Sequence, residues 1–189
     1  MDRFTALFDA NVLYPPTLRD LLMRLALREL FRARWSERIH EEWIIAALDN
    51  NPHLDRDRLE RTRALMNQHA EDCLVEGYEA LVPGLELPDP NDRHVLAAAI
   101  RSGADLIVTR NLEDFPEPNL RPFGIEAQHP DTFITHLIDL DAGAVVGAAQ
   151  EHRRALKNPP QEAETYLATL ERQALPQTVA YLRHFESVL

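Results

Sequence analysis

Short apolar runs alternate with helical patterns over the first 140 residues, and this alternation restricts the fold more than any other feature. Residues 4–8 (Phe-Thr-Ala-Leu-Phe) and 104–109 have the length and character of strands, and residues 123–127 form a weaker candidate. Strands that alternate with helices build mainly parallel sheets covered by helices. The sequence therefore predicts an α/β fold, a three-layer α/β/α sandwich around a central, mainly parallel sheet.

Apolar residues at helical spacing predict the helices of this fold. A first helix is expected from Thr17, with a face of arginines at spacing four (Arg24, Arg28 and Arg32) opposite its leucines. Ser36 is expected to cap a second helix. Residues 55–69 are expected to form a third helix, which is polar. Asp9–Tyr14 reads as a polar turn and Cys73–Val75 as a short strand.

The pattern changes near residue 141, after which helical segments continue without strands. We expect an α/β domain over residues 1–140 and a helical C-terminal extension over residues 141–189. No apolar run is expected to reach the length that spans a bilayer, and the charged N-terminus does not resemble a signal peptide. The sequence therefore predicts a cytoplasmic protein with no membrane partner.

Cysteine and charge exclude other classes. The lone Cys73 cannot form an internal disulfide and no Cys/His cluster has zinc-site spacing, so Cys73 is expected in the core. The formal net charge of −11 disfavours a nucleic-acid partner for the chain as a whole. Residues 1–40, however, carry seven arginines against five acidic residues, so the acidity lies further along the chain.

Acidic residues recur where the predicted strands end. Asp9 follows the first apolar run directly, and Asp114 lies in the turn after residues 106–109. Asp92 lies in the first turn of an apolar helix that is expected to end at Gly103, and Glu42 on the second helix could point the same way. The functional crevice of an open parallel sheet lies outside the carboxyl ends of its strands, where these acids would meet.

Each acid also has a purely structural interpretation. Asp89 followed by Pro90 is a favourable helix start, and an acid in the first turn, such as Asp92, complements the helix dipole. Asp9 and Asp114 could be turn residues, and Glu42 could be a solvated surface acid. Asp89 is therefore best interpreted as a cap, and Asp92 as the better candidate for a functional ligand.

Taken together, the acids favour a cation site. Two carboxylates about 4 Å apart repel by about 4 kcal/mol at an effective dielectric near 20, so a cluster of them needs compensation. Carboxylate oxygens without cysteine favour Mg²⁺ or Mn²⁺ over zinc. Such ions activate water and neutralise phosphate oxygens in phosphodiester hydrolysis.

Four segments carry a resemblance to a known family. They are Phe8-Asp9-Ala-Asn11-Val-Leu, Ser36-Glu-Arg-Ile-His-Glu-Glu42-Trp, Asp89-Pro-Asn-Asp92-Arg-His-Val-Leu-Ala-Ala-Ala and Thr109-Arg-Asn111-Leu-Glu-Asp114-Phe115. These segments and their order along the chain resemble those of PIN-domain ribonucleases, and most of all those of the VapC toxins of bacterial type II toxin–antitoxin pairs. The resemblance covers about residues 4–137. The C-terminal extension also resembles a helical tail of some members.

The resemblance implies a set of site residues. The catalytic, metal-binding acids would be Asp9, Glu42, Asp92 and Asp114, and the supporting residues would be Asn11, Thr109, Asp89 and Asn111. Some members have an acid where this chain has Asn111, which leaves the second metal position open. Glu41 remains an alternative to Glu42, since adjacent helical residues point about 100° apart.

The resemblance also implies an activity and partners. The protein would be a Mg²⁺- or Mn²⁺-dependent endoribonuclease that leaves a 5′-phosphate and a 3′-hydroxyl, is neutralised by a cognate antitoxin and can form a homodimer. Arg24, Arg28 and Arg32 are candidates for RNA contact, with a solvated helix face as the alternative. Two other hypotheses stay open: a non-catalytic or housekeeping PIN-domain protein in RNA binding or processing, and a phosphatase with Asp9 as nucleophile.

Overall fold

The computed structural model describes residues 3–189, which divide into two compact units. The first comprises the chain up to Tyr14 together with Phe31–His129, and the second comprises Pro15–Leu30 together with Pro130–Leu189. These ranges differ from the division at residues 140 and 141 that the sequence suggests, and that domain boundary stays a prediction.

The first unit contains a four-stranded sheet. Its strands are β1 (Thr5–Phe8), β2 (Arg32–Arg34), β3 (Leu106–Val108) and β4 (Glu126–Gln128). They lie in the order β2-β1-β3-β4, and every neighbouring pair is parallel. The predicted α/β fold with a mainly parallel sheet and a helical C-terminal part is confirmed.

Nine α-helices complete the described chain, residues 3–189. In chain order they are α1 (Ala10–Leu13), α2 (Pro16–Ala26), α3 (Glu37–Asn50), α4 (Arg56–His69), α5 (Arg93–Ser102), α6 (Glu117–Leu120), α7 (Pro130–Ala155), α8 (Ala163–Glu171) and α9 (Pro176–Leu182). Helices α2 and α7–α9 belong to the second unit, and the others belong to the first.

Predicted helix boundaries are confirmed where the sequence carries a capping residue. The Ser36 hydroxyl accepts a hydrogen bond from the backbone N–H of Ile39 at 3.2 Å, so α3 begins as expected. Gly103 follows α5 with φ of 62°, the left-handed conformation that ends many helices and that glycine adopts without strain.

A buried polar network joins α3 to α4 in the first unit. Trp43 Nε1 donates to His40 Nδ1 at 2.9 Å, which leaves the proton of a neutral His40 on Nε2, 2.9 Å from Asn67 Oδ1. Trp35 Nε1 donates to the same oxygen at 2.8 Å. Cys73 lies in the same core, 3% exposed, as expected. These bonds satisfy polar groups that would otherwise destabilise the core.

Three local predictions are wrong. The first helix ends at Ala26, and Arg32 lies on β2, a strand whose Arg-Ala-Arg sequence carries no apolar run to reveal it. Residues 73–75 form only an isolated parallel bridge, between Leu74 and Trp35. The expected turn after Asp9 is the short helix α1, which Asp9 caps.

In the second unit, α2 and α7–α9 enclose their own apolar core. The four leucines of α2 that share the predicted face are fully or almost fully buried: Leu18, Leu21, Leu22 and Leu25. Asp131, 3% exposed, accepts hydrogen bonds from the backbone N–H of Gln177 at 2.9 Å and from the backbone N–H and hydroxyl of Thr178 at 2.9 and 2.8 Å. One carboxylate thereby fastens the start of α7 to the first turn of α9.

The long helix α7 corrects one expectation from the sequence. By length and composition alone it could cross a membrane, although no segment of the sequence is expected to be long enough. Core helices of soluble proteins pass the same test, and ten residues of α7, including Phe133 and Leu137, are buried. Its backbone is also interrupted at Asp141, which has non-helical angles. The absence of a membrane partner stays a prediction.

Asp131→Ala should destabilise the protein, because it leaves the buried N–H and hydroxyl of Thr178 and the N–H of Gln177 without their acceptor. We expect a loss of about 1–3 kcal/mol in the free energy of unfolding, measured by urea denaturation. The matched control is Asp139→Ala, which removes an exposed acid from the same helix and should change stability by less than about 0.5 kcal/mol. Equal effects of the two variants would contradict this role of Asp131.

Candidate active site

Asp9 is the fixed point of the candidate site. It directly follows β1 and is 6% exposed, yet both of its carboxylate oxygens have donors. Oδ1 accepts from the backbone N–H of Ala10 at 2.7 Å, and Oδ2 accepts from Asn11 Nδ2 at 2.7 Å and from Thr109 Oγ1 at 2.8 Å. Burial raises the pKa of Asp9, and the hydrogen bonds from Thr109 and Ala10 oppose that rise.

Asn11 and Thr109 join the ends of two neighbouring strands. Asn11 Nδ2 also donates to Thr109 Oγ1 at 2.9 Å, and Asn11 Oδ1 accepts from the backbone N–H of Arg110 at 2.9 Å. The Thr109 hydroxyl further accepts from the backbone N–H of Asn111 at 3.1 Å. The structure therefore places both predicted supporting residues on Asp9 itself.

Asp89 and Asp92 have different local roles. Asp89 accepts from the backbone N–H of Asn91 at 2.8 Å and caps a 3₁₀ turn, Pro90–Asp92. Asp92 then occupies the N-cap position of α5 with φ of −86° and ψ of −4°, and its side chain makes no capping hydrogen bond. The carboxylate of Asp92 is thus not used to start the helix.

Asp114 belongs to the segment that follows β3. It ends the 3₁₀ turn Leu112–Asp114, and Asn111 Nδ2 donates to its carboxylate. Through its charge and a side-chain hydrogen bond, Asp114 contributes to the raised pKa of Asp92. The structure therefore brings together acids from the end of β1, the start of α5 and the segment after β3.

The electrostatic cost of this arrangement is evident in the pKa of Asp92. Burial, followed by the charges of Asp9, Asp114 and Asp89 and the hydrogen bond with Asp114, raises its pKa from 3.8 to about 7. Asp9 has three donors to stabilise its charge, whereas the carboxylate of Asp92 faces other acids. The raised pKa of Asp92 shows that full ionisation of the cluster is unfavourable, and a bound cation would relieve this cost.

Glu42, rather than Glu41, lies near Asp9. Glu42 raises the pKa of Asp9 by its charge, and its Oε1 lies 2.8 Å from His94 Nε2 and 3.2 Å from Arg38 Nε. Glu41 instead pairs with Arg56, whose Nη2 lies 2.6 and 2.8 Å from its two oxygens. The geometry thus distinguishes the two neighbours that the sequence left open.

Two residues near the acids were not anticipated. Arg38 pairs with Glu42 at a separation of four residues on one helix, a spacing that could have revealed it. His94 is 1% exposed, in an α5 segment that is otherwise apolar from Val95 to Ala99, and nothing in the sequence separates it from an ordinary core histidine.

The predicted arginine stripe does not exist as a single helix face. Arg24 lies in α2 and pairs with Asp20 at 3.1 Å, and Arg28 lies beyond the helix and pairs with Glu151 at 2.8 Å. Arg32 is exposed on β2. The helix stops at Ala26, so the spacing of four no longer aligns the three side chains. Contact of these arginines with RNA stays a prediction.

The acids do not form a ready coordination shell. Within residues 3–189 no three histidine, cysteine, aspartate or glutamate side chains are arranged to hold a metal ion. Their chemistry nevertheless fits a hard divalent cation, since carboxylate oxygens are the ligands that such ions prefer. Binding such an ion requires side-chain rotation, and the Asp92 carboxylate makes no capping hydrogen bond that would oppose it.

Comparisons with known proteins agree with this arrangement. A family model described as PIN domain matches residues 5–113, and one described as VapC50 C-terminal domain matches residues 130–184. The protein named "Putative ribonuclease VapC50" from Mycobacterium tuberculosis (strain ATCC 25618 / H37Rv) is 38% identical over 107 residues, 57% of this chain and 62% of that relative. The match thus spans less than two thirds of the relative's length.

No solved structure matches the chain. The PIN-domain model, however, covers more than half of it, including three of the four acids and both strand ends that hold Asp9 and Thr109. Residues 130–184 follow as a separately matched part, within the second compact unit. The chain therefore belongs to the PIN-domain family and has a C-terminal part of the VapC50 type.

Proposed function

We propose that this protein is a Mg²⁺- or Mn²⁺-dependent endoribonuclease and the toxin of a toxin–antitoxin pair. One observation carries the proposal: burial, together with the charges of Asp9, Asp114 and Asp89, raises the pKa of Asp92 to about 7 beside the ends of two parallel strands. Such a cluster is costly without a cation, and perturbed carboxylates in this position are typical of functional sites. The named relative, described as a ribonuclease, supports the activity.

The residues of the site would have different roles in hydrolysis. Asp9, Asp92 and Asp114 would hold the cation, and Glu42 would complete the acidic set or orient water. When bound, the cation would lower the pKa of a water molecule and neutralise phosphate oxygens. Asn11 and Thr109 keep Asp9 in one orientation through the two hydrogen bonds to Oδ2. Asn111 does the same for Asp114.

The phosphatase hypothesis is less well supported. A nucleophilic aspartate needs an accessible oxygen, but Asp9 is 6% exposed and both oxygens accept hydrogen bonds, which reduces their nucleophilicity. A non-catalytic PIN-domain protein would need no cation at the acids. Metal binding and RNA cleavage therefore separate the proposal from both alternatives.

We expect Asp9→Asn and Asp92→Asn each to reduce Mn²⁺-dependent RNA cleavage by on the order of 100-fold or more, because each removes a charged ligand. The matched control is Asp89→Asn, which keeps a capping side chain and should cleave within about two-fold of wild type. Initial rates on a mixed RNA substrate, with and without EDTA, provide the measurement. Full activity of Asp92→Asn would exclude the proposed site.

The raised pKa of Asp92 predicts a pH-dependent cost. An acid with a higher pKa in the folded than in the unfolded state loses stability as pH rises between the two values, here from about 4 to about 7. The stability of metal-free Asp92→Asn relative to wild type should therefore increase over this range, by about 1 kcal/mol after allowance for partial exposure. For a chain of this size that corresponds to about 2–4 °C in thermal midpoint.

Thermal midpoints of both proteins at pH 5 and pH 8, in EDTA, test this prediction. Addition of Mn²⁺ at pH 8 should stabilise wild type and largely remove the advantage of the variant. A midpoint difference that is the same at both pH values would show that Asp92 does not carry the cost.

Toxicity and neutralisation are tested together in a bacterial host. Induction of the wild-type chain should arrest growth, and Asp9→Asn should not. Co-expression of a small reading frame adjacent to this gene should relieve the arrest if it encodes the antitoxin. Arrest that persists with every neighbouring frame, or its absence with an active nuclease, would favour the housekeeping alternative.

A further inference from the structure

His94 is a buried polar residue, and nothing in its own helix explains why a histidine occupies this position. Its side chain is 1% exposed, and neither ring nitrogen has a hydrogen-bond partner of normal geometry within residues 3–189. Nε2 nevertheless lies 2.8 Å from Glu42 Oε1, at an angle outside the normal hydrogen-bond range. A buried imidazole without a well-formed hydrogen bond is destabilising, so an apolar residue would stabilise α5 better.

Glu42 needs an external partner to hold one position. Its side chain is 37% exposed, and it extends from a helix surface where glutamate side chains retain considerable freedom. Arg38 lies on the same helix, is 49% exposed, and forms an ion pair of the weak i,i+4 type with Glu42. His94 is the rigid partner, because its ring is enclosed by the core.

The position of His94 connects the acids. It lies two residues after Asp92 on the same chain segment, and its contact reaches from α5 to Glu42 on α3. His94 also contributes to lowering the pKa of Asp9, so its ring lies within electrostatic range of the buried acid as well. One imidazole therefore contacts the acid on α3 and lies within electrostatic range of the acid that follows β1.

We propose that His94 is a positioning residue that directs the Glu42 carboxylate toward Asp9, with the Nε2–H tautomer facing Oε1. The inference rests on the proposed function, since it assigns a task within the same acidic site. Fixing Glu42 from α5 keeps its second oxygen, Oε2, available to the site. Residues that orient a ligand in this way typically change metal affinity by about 10–100-fold when removed.

Two substitutions of similar polarity separate position from packing. In His94→Gln the amide nitrogen can reach the place of Nε2, whereas in His94→Asn it reaches only the place of Nδ1. Both variants place an amide of the same polarity in the buried position of His94, and the urea midpoint shows whether they are equally folded. Glu42→Gln, alone and combined with His94→Asn, tests whether His94 acts through Glu42, and Glu41→Gln is the matched control.

The measurement is Mn²⁺ affinity of the full chain by calorimetry, together with the urea midpoint of the metal-free proteins and kcat and KM on RNA. We expect His94→Asn to weaken Mn²⁺ binding by about 10-fold and to lower kcat with little change in KM. His94→Gln should stay within about three-fold of wild type. In the Glu42→Gln background, His94→Asn should cause less than two-fold further loss, and Glu41→Gln should bind like wild type.

Other outcomes overturn the inference. Equal Mn²⁺ affinities of His94→Asn and wild type, or equal losses for His94→Asn and His94→Gln, would show that no donor at Nε2 positions Glu42. A full additional loss in the Glu42→Gln background would show a role independent of Glu42. A wild-type chain that binds no Mn²⁺ would overturn the proposed function and this inference with it, whereas the first three outcomes leave the nuclease proposal intact.

Discussion

The register between β1 and β3 determines where the chemistry of this protein can take place. Phe8 pairs with Val108, so both strands end at the same level and the next residues, Asp9 and Thr109, become neighbours. Their hydrogen bond at 2.8 Å closes over a separation of 100 residues. A slip of one residue would turn these side chains to opposite faces of the sheet and remove the bond. Asn11 stabilises the same level by bonding to both residues.

The acids around this point are stabilised unequally, and the inequality is informative. Asp9 is the more buried, yet three donors stabilise its charge. Asp92 is half-buried, receives no capping bond and faces other carboxylates, so it bears most of the like-charge repulsion. A structural carboxylate normally gains hydrogen-bond donors, as Asp131 gains three hydrogen bonds in the second unit. The lack of such compensation at Asp92 is therefore typical of a ligand rather than of a cap.

Local chemistry made much of the fold predictable from sequence. The buried run of β1, the cap at Ser36 and the glycine after α5 each have a signal that acts within a few residues. Strand β2 was not predicted because its sequence, Arg-Ala-Arg, is polar and gains its strand conformation only by pairing with β1. The arginine face expected on α2 failed for the same reason, since the chain leaves the helix before Arg28 to reach that pairing. Tertiary pairing here overrides local propensity.

The site shows a similar division between local and non-local information. Sequence could not separate Glu41 from Glu42, because the choice depends on Arg56 and His94, which lie on α4 and α5. It could, however, suggest different roles for Asp89 and Asp92, and the structure supplies the reason. The 3₁₀ turn that Asp89 caps delivers Asp92 to the helix start with helical backbone angles, in which its own side chain cannot return to cap the turn. Capping by Asp89 and an uncapped Asp92 are therefore consequences of one turn, and the first residue leaves the second available to the acids across the sheet edge.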